Sequence, residues 1–162
     1  MLLSLGAILL LSMLTLRVNT NQLTTEETMV NSKMGLMAIS LANSYIEEAN
    51  KLAFDEATVD EFVDNIGPLT GTGNLGPAVG EYYPDFNDFD DFNDFFTIDT
   101  VQIGTVEELF QISCTVHYIQ PENPDQISLK KTYHKRINVT VSHPSMTDAI
   151  TISSIFSYWK EI

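Results

Sequence analysis

The first sixteen residues, MLLSLGAILLLSMLTL, contain no charged side chain. Ser4, Ser12 and Thr15 are their only polar side chains. A helix built from them is apolar nearly all round and must be surrounded by other apolar surface. A secretory signal peptide places basic residues ahead of its apolar core. Here the first basic residue, Arg17, comes after it, and Val18, Asn19, Thr20 and Asn21 follow in place of a small-x-small cleavage site. A transmembrane helix takes about 20 apolar residues, whereas sixteen at a rise of about 1.5 Å reach only about 24 Å. A helix in a soluble core should show a polar face. A bundle of identical helices in a filament meets these constraints best, with a membrane supplying apolar surroundings before assembly. An uncleaved signal or short anchor, and a buried core helix, are the alternatives. Leu2, Leu5, Leu9, Leu10 and Leu14 are the candidate assembly positions.

The rest of the 162-residue chain is acidic. Twenty-two Asp and Glu against eight Lys and Arg give a formal net charge of −14. Nucleic-acid binding needs basic side chains to displace counterions from phosphates, so that partner class is excluded. Docking on anionic lipid head groups is disfavoured for the same reason. Hydrophobic residues make up 44% of the chain, enough for one core. The single cysteine, Cys114, rules out an internal disulfide and any CxxC metal or haem motif. It lies in an alternating apolar stretch and reads as a buried, inert thiol.

Residues 17–23 (RVNTNQL) are polar, and the helix is expected to loosen there. Thr24 and Glu27 then fit a capping box for a second helix from about Thr25 to about Phe54. Met34, Met37, Leu41, Tyr45 and Leu52 form its apolar stripe, widened by Ile39, Ala42, Ile46 and Ala53, and Glu47 and Lys51 have the spacing of an i,i+4 ion pair. Residues 55–84 are rich in Asp, Glu, Gly and Pro and read as a loop. The glycines of GPLTGTGNLGPAVG lack the GxxxxGK[ST] lysine of a phosphate cradle. From Phe96 the hydrophobic period becomes two. Strands are predicted over Phe96–Gly104, Leu109–Ile119, Leu129–Ser142 and Ala149–Trp159, with Gln120–Gln126 as a turn. Ile137, Val139 and Val141, then Ile150, Ile152, Ile155 and Phe156, are the candidate core of the last two. Short connections imply antiparallel pairing. The expected fold is α+β: a long N-terminal helix, apolar then amphipathic, packed on an antiparallel sheet of about four strands. Residues 1–24 are expected to form the filament core or membrane anchor, and residues 25–162 a globular head.

The sharpest local pattern is PDFNDFDDFNDFF, which parses into triplets. With three residues per turn, Asp85, Asp88, Asp91 and Asp94 align along one edge and Phe86, Phe89, Phe92 and Phe95 along another. Calcium takes six to eight oxygen ligands, so Asp85, Asp88, Asp90, Asp91 and Asp94 are candidate calcium ligands, although the EF-hand pattern fails. The alternative is a solvated acidic stripe pinned by its phenylalanines. No nucleophile elbow, HExxH or catalytic dyad is present, and no enzymatic activity is expected. His117 and His134 are placed to face each other across strands, which by itself is a weak metal site. Lys130, Lys131, Lys135 and Arg136 form the only basic cluster, read either as a charged edge strand or as a contact for the Asp triplets of a neighbouring subunit. Asn138-Val139-Thr140 fits a glycosylation sequon.

The layout resembles that of type IV pilins and the related minor pilins and pseudopilins: an apolar N-terminal helix, its continuation GLMAISLANSYIEEANKLAFDE, a loop, then an antiparallel sheet. The segments KRINVTVSHP and AITISSIFSYW look like the terminal strands of minor-pilin-like proteins. Type IV pilins carry Glu at the fifth mature position, whereas this sequence has Leu5 and no acid before Glu26. The Lys/Arg-Gly leader of those families does not precede Met1, so processing is expected either to have removed it or to differ. The resemblance implies a mature subunit whose helix 1–54 packs in a filament core beneath a head. The expected function is that of a structural subunit of an extracellular, pilus-like filament at the cell surface, with copies of itself as partners. A minor pilin or pseudopilin of a pilus or secretion apparatus, and a monomeric membrane-anchored surface protein, are the alternatives.

Overall fold

The computed structural model describes residues 2–159, and of helix residues 2–5, 7–9, 19 and 21 the backbone alone. A single helix, α1 (Leu2–Ala49), is followed by 3-10 turns at Glu56–Thr58 and Phe89–Phe92. Five strands come next: β1 (Phe96–Ile103), β2 (Val106–Gln120), β3 (Asn123–Ile127), β4 (His134–Ser142) and β5 (Ile150–Ser157). The sheet runs β1-β2-β4-β5, all antiparallel, with β3 paired to the end of β2. The expected α+β fold is present, with five strands in place of about four.

The expected break near residues 17–24 does not occur. Thr24 lies inside α1, and its hydroxyl donates to the Thr20 carbonyl one turn back, at 3.1 Å. Thr15, Thr20, Thr28 and Ser32 make the same backward bond to carbonyls of the preceding turn. Hydroxyls used in this way leave a polar stretch helical. The helix also ends at Ala49, not Phe54. Lys51 therefore lies beyond it, and no ion pair to Glu47 forms among the described residues.

Only the last third of α1 packs on the sheet. Met34, Ala38, Ala42, Tyr45, Ile46 and Ala49 are buried, at the three- and four-residue spacing of one helix face. Three of these are alanines with no exposed surface, so the helix axis lies close to the strands. Met37, Leu41 and Leu52 pack at the margin, while Ile39 points to solvent. The opposing sheet face is built by alternation: Phe110, Ile112, Cys114 and Val116 from β2, and Ile137, Val139 and Val141 from β4. Ile150, Ile152 and Phe156 complete it from β5. The same alternation turns Ile155 outward, opposite Arg136, which corrects its assignment to the core.

β5 is Ile150–Ser157, shorter than the expected Ala149–Trp159, and three larger differences have local reasons. β2 starts at Val106, because Ile103 pairs directly with Val106 across a two-residue turn. Gly104 has φ +67 there, which glycine adopts without strain. β3 occupies most of the segment read as a turn. It is exposed throughout, and its Pro124 is tolerated because it pairs on one side only. β4 begins at His134 rather than Leu129: the Ser128 hydroxyl bends the chain by bonding the Lys130 carbonyl at 2.7 Å. The segment between α1 and β1 folds over one end of the sheet, where Phe54, Val63, Leu69 and Tyr118 form a second small core.

Candidate assembly surface and a buried charge cluster

Ahead of Asn31, every side chain of α1 that the structure describes is exposed. Residues 2–30 extend about 43 Å at 1.5 Å per residue. Leu10 is 71% exposed, Leu14 61%, and Leu11, Met13 and Leu16 are similar. These positions span about 220° of the helix circumference, since successive residues are about 100° apart, and Ser12 and Thr15 occupy the rest. The hydroxyls of Thr15 and Thr20, though exposed, bond back to carbonyls of the preceding turn. Of the candidate assembly positions, Leu10 and Leu14 are thus free of contact with the head; the side chains of Leu2, Leu5 and Leu9 lie outside the described residues. Among the described residues, no helix is long and apolar enough to cross a membrane.

The Asp triplets do not form an aligned stripe. Asp85 and Asp94 are exposed, whereas Asp88, Asp90 and Asp91 are buried. Asp88 caps the 3-10 turn Phe89–Phe92: its carboxylate accepts from the amides of Asp90 (2.7 Å) and Asp91 (3.3 Å). Asp91 reaches back to accept from the amides of Asn87 (2.9 Å) and Asp88 (3.0 Å). Phe89 and Phe92 are driven into the core by the same turn. The expectation of a wholly solvated stripe is corrected accordingly.

Asp90 pairs with a lysine of its own chain. The Lys135 ammonium, fully buried, donates to Asp90 Oδ1, to Asp55 Oδ2 at 2.7 Å and to the Phe54 carbonyl at 2.8 Å. It lies 4.5 Å from the centre of the Phe54 ring, a favourable position for a cation. Asp55 also accepts from the Tyr118 hydroxyl at 3.0 Å, the Thr70 amide at 3.0 Å and the Ala57 amide at 3.2 Å. Burial alone would raise the Asp55 carboxyl. Lys135 and the Thr70 and Ala57 amides outweigh burial and hold it below the usual carboxylate range. Asp88 makes no direct bond to Lys135: burial, then the charges of Asp90 and Asp91, push its carboxyl up to about 9. Asp90 is also raised, burial exceeding the opposing effect of Lys135.

Asp55, Thr70 and Tyr118 were not singled out by sequence. A signal for Lys135 was present, because it shares the inward phase of Ile137, Val139 and Val141 on β4. A lysine in that phase needs a buried anion.

The remaining candidates are dispersed. Among the described residues, no group of three or more His, Cys, Asp or Glu is placed to hold a metal ion. The register sets His117 opposite Arg136 and His134 opposite Ser157, not opposite each other. The basic cluster divides. β4 is an interior strand, so it is no charged edge. Lys131 donates to the Gly67 carbonyl at 2.8 Å, Arg136 to the Pro124 carbonyl at 3.2 Å, and Lys130 is exposed. The sequon asparagine, Asn138, sits in mid-strand with its amide donating to Thr115 at 3.2 Å. Cys114 is buried and free, as expected.

Fold and surface together define an α+β protein in which a helix, mainly apolar over residues 10–16, projects from a compact acidic head. No protein-family model matches the chain, and neither a curated protein nor a solved structure matches it.

Proposed function

We propose that the chain is a structural subunit that assembles into an extracellular, pilus-like filament by packing the projecting part of α1 against the same segment of other copies. The observation that carries this reading is the exposure of Leu10, Leu11, Met13, Leu14 and Leu16 over most of the helix circumference. Burying a side chain of that size contributes about 1.5–3 kcal/mol, so a handful per subunit is a large driving force. The apolar arc is about 220° wide, which favours burial against several neighbours over docking on a single groove. The head, with its net negative charge, would remain in solvent and keep the filaments apart.

The test is electron microscopy and sedimentation of the purified full chain beside Leu14→Asp. Ordered filaments are expected from the unaltered chain. The variant would place an unpaired charge in the bundle and is expected to stay monomeric with its head folded. A monomeric unaltered chain, or normal filaments from Leu14→Asp, would overturn the proposal.

A further inference from the structure

Between Leu2 and Ser32 the sequence carries three charges: Arg17, Glu26 and Glu27. All three are exposed, and none belongs to an ion pair among the described residues. Arg17 cannot reach Glu26 on its own helix, because nine residues separate them by about 13–14 Å along the axis, well beyond the i,i+4 range. Arginine stays protonated in any protein environment. An Arg17 that enters an apolar bundle therefore needs an anion from another chain.

We propose that neighbouring copies of α1 run parallel with a stagger of about nine residues, so that Arg17 of one copy pairs with Glu26 of the next. This register rests on the filament reading and adds the contact that sets it. Nine residues at about 100° each make two and a half turns, which places Arg17 and Glu26 on opposite sides of the helix. In a head-to-tail contact between parallel helices, the side a copy offers differs from the side on which it receives the next copy. Arg17 and Glu26 are distributed in that way. A two-fold antiparallel pair uses the same patch on both copies and would leave the two charges facing apart. The arrangement thus favours an open, repeating assembly over a closed dimer. Glu27 lies about 100° from Glu26 around the helix and is not opposite Arg17.

Two further features agree with this register. The same stagger sets Leu14 of one helix level with Leu23 of the next, and both are more than half exposed. Glu26 lines, together with Glu27, a groove formed by Leu23 and Val30 of α1 and by Pro144 and Met146 of the β4–β5 connection. An apolar helix carrying one cation at the level of Glu26 matches that groove in both shape and charge.

The experiment compares the full chain with Arg17→Glu, Glu26→Arg and the double exchange. Each single reversal is expected to lower the sedimenting fraction about tenfold or more, and the double to restore it to within about threefold. Oxidation of assembled R17C/E26C should give a ladder of linked chains, while R17C alone should give none; buried Cys114 does not contribute. If the unaltered chain forms filaments yet tolerates Arg17→Glu, the register is wrong while the filament reading stands. The register is likewise wrong if the double exchange is as defective as the singles, or if R17C links to itself. If the unaltered chain forms no filaments, both proposals fall.

Discussion

Lys135 and Asp55, 80 residues apart in the chain, meet with Nζ 2.7 Å from Oδ2, and neither side chain is exposed. The contact ties an interior strand to the residues that immediately follow α1, and Asp90 closes it from the loop ahead of β1. Three distant segments are thereby held at one end of the sheet. Such a pair owes its net worth to complete hydrogen bonding, since removing charges from water is costly in itself.

Lys135→Met removes the cation and leaves two carboxylates buried without it. Chemical denaturation is expected to show a loss of about 3–5 kcal/mol. Adding Asp55→Asn and Asp90→Asn should recover most of it, because the penalty lies in the orphaned charges. A loss below about 1 kcal/mol for the single variant, the range of solvent-exposed pairs, would show that water reaches the cluster.

Asp88 gives a pH dependence of defined sign. Its folded carboxyl titrates at about 9 because of burial and the neighbouring Asp90 and Asp91, whereas an unfolded Asp titrates near 3.9. Between those values the unfolded chain releases a proton that the folded chain keeps. The contribution of Asp88 is therefore fully present below about pH 4 and is lost progressively toward about pH 9. Asp88→Asn retains an oxygen to cap the 3-10 turn and does not titrate. Its stability relative to the unaltered chain should rise steadily from pH 5 to pH 9 in urea melts, by at most about 1.4 kcal/mol per pH unit. Parallel profiles would mean that Asp88 ionises equally in both states.

Much of this arrangement was legible in the sequence, for a physical reason: period-two alternation is imposed by the backbone wherever one sheet face is buried. It located four of the five strands and the inward residues Ile137, Val139 and Val141. β3 escaped because a strand exposed throughout carries no alternation, and Pro124 masked it further. The continuity of α1 escaped because Thr24 has equal chemical standing as a cap and as a donor to the preceding turn. The charge cluster escaped because Asp55, Asp90 and Lys135 come from three separate segments. Sequence reveals that Lys135 faces inward but not which carboxylate receives it. The apolar character of residues 1–16 was the most legible feature, since it does not depend on the rest of the fold.

Cys114 lies on the inner face of β2, and burial pushes its thiol up to about 12. Thiolate is the reactive form. A thiol reagent at pH 8 should therefore label the folded chain only as fast as the sheet opens, and label it completely once urea unfolds it. Rapid labelling without denaturant would place Cys114 at the surface and contradict the β2 register.

A chain beginning at Thr24 tests whether the head is independent of the projecting helix. The buried face of α1 begins at Met34 and ends at Ala49. Before Asn31, no described side chain is buried against the head. Met34, Tyr45 and Ile46 each contribute about 1.5–3 kcal/mol by burial, and Ala38, Ala42 and Ala49 let them seat closely on β4 and β5. Removing residues 1–23 takes away none of these contacts and leaves about two turns of helix ahead of Asn31. The shortened chain should be soluble, monomeric and cooperatively folded, with an unfolding free energy within about 1 kcal/mol of the full chain. It should also fail to join filaments formed by the full chain. If it is unfolded, the head draws stability from neighbouring copies, and the division between head and assembly helix falls nearer Met34 or disappears. If it folds but still assembles, the contacts between subunits lie in the heads, and the exposed leucines of α1 need another explanation.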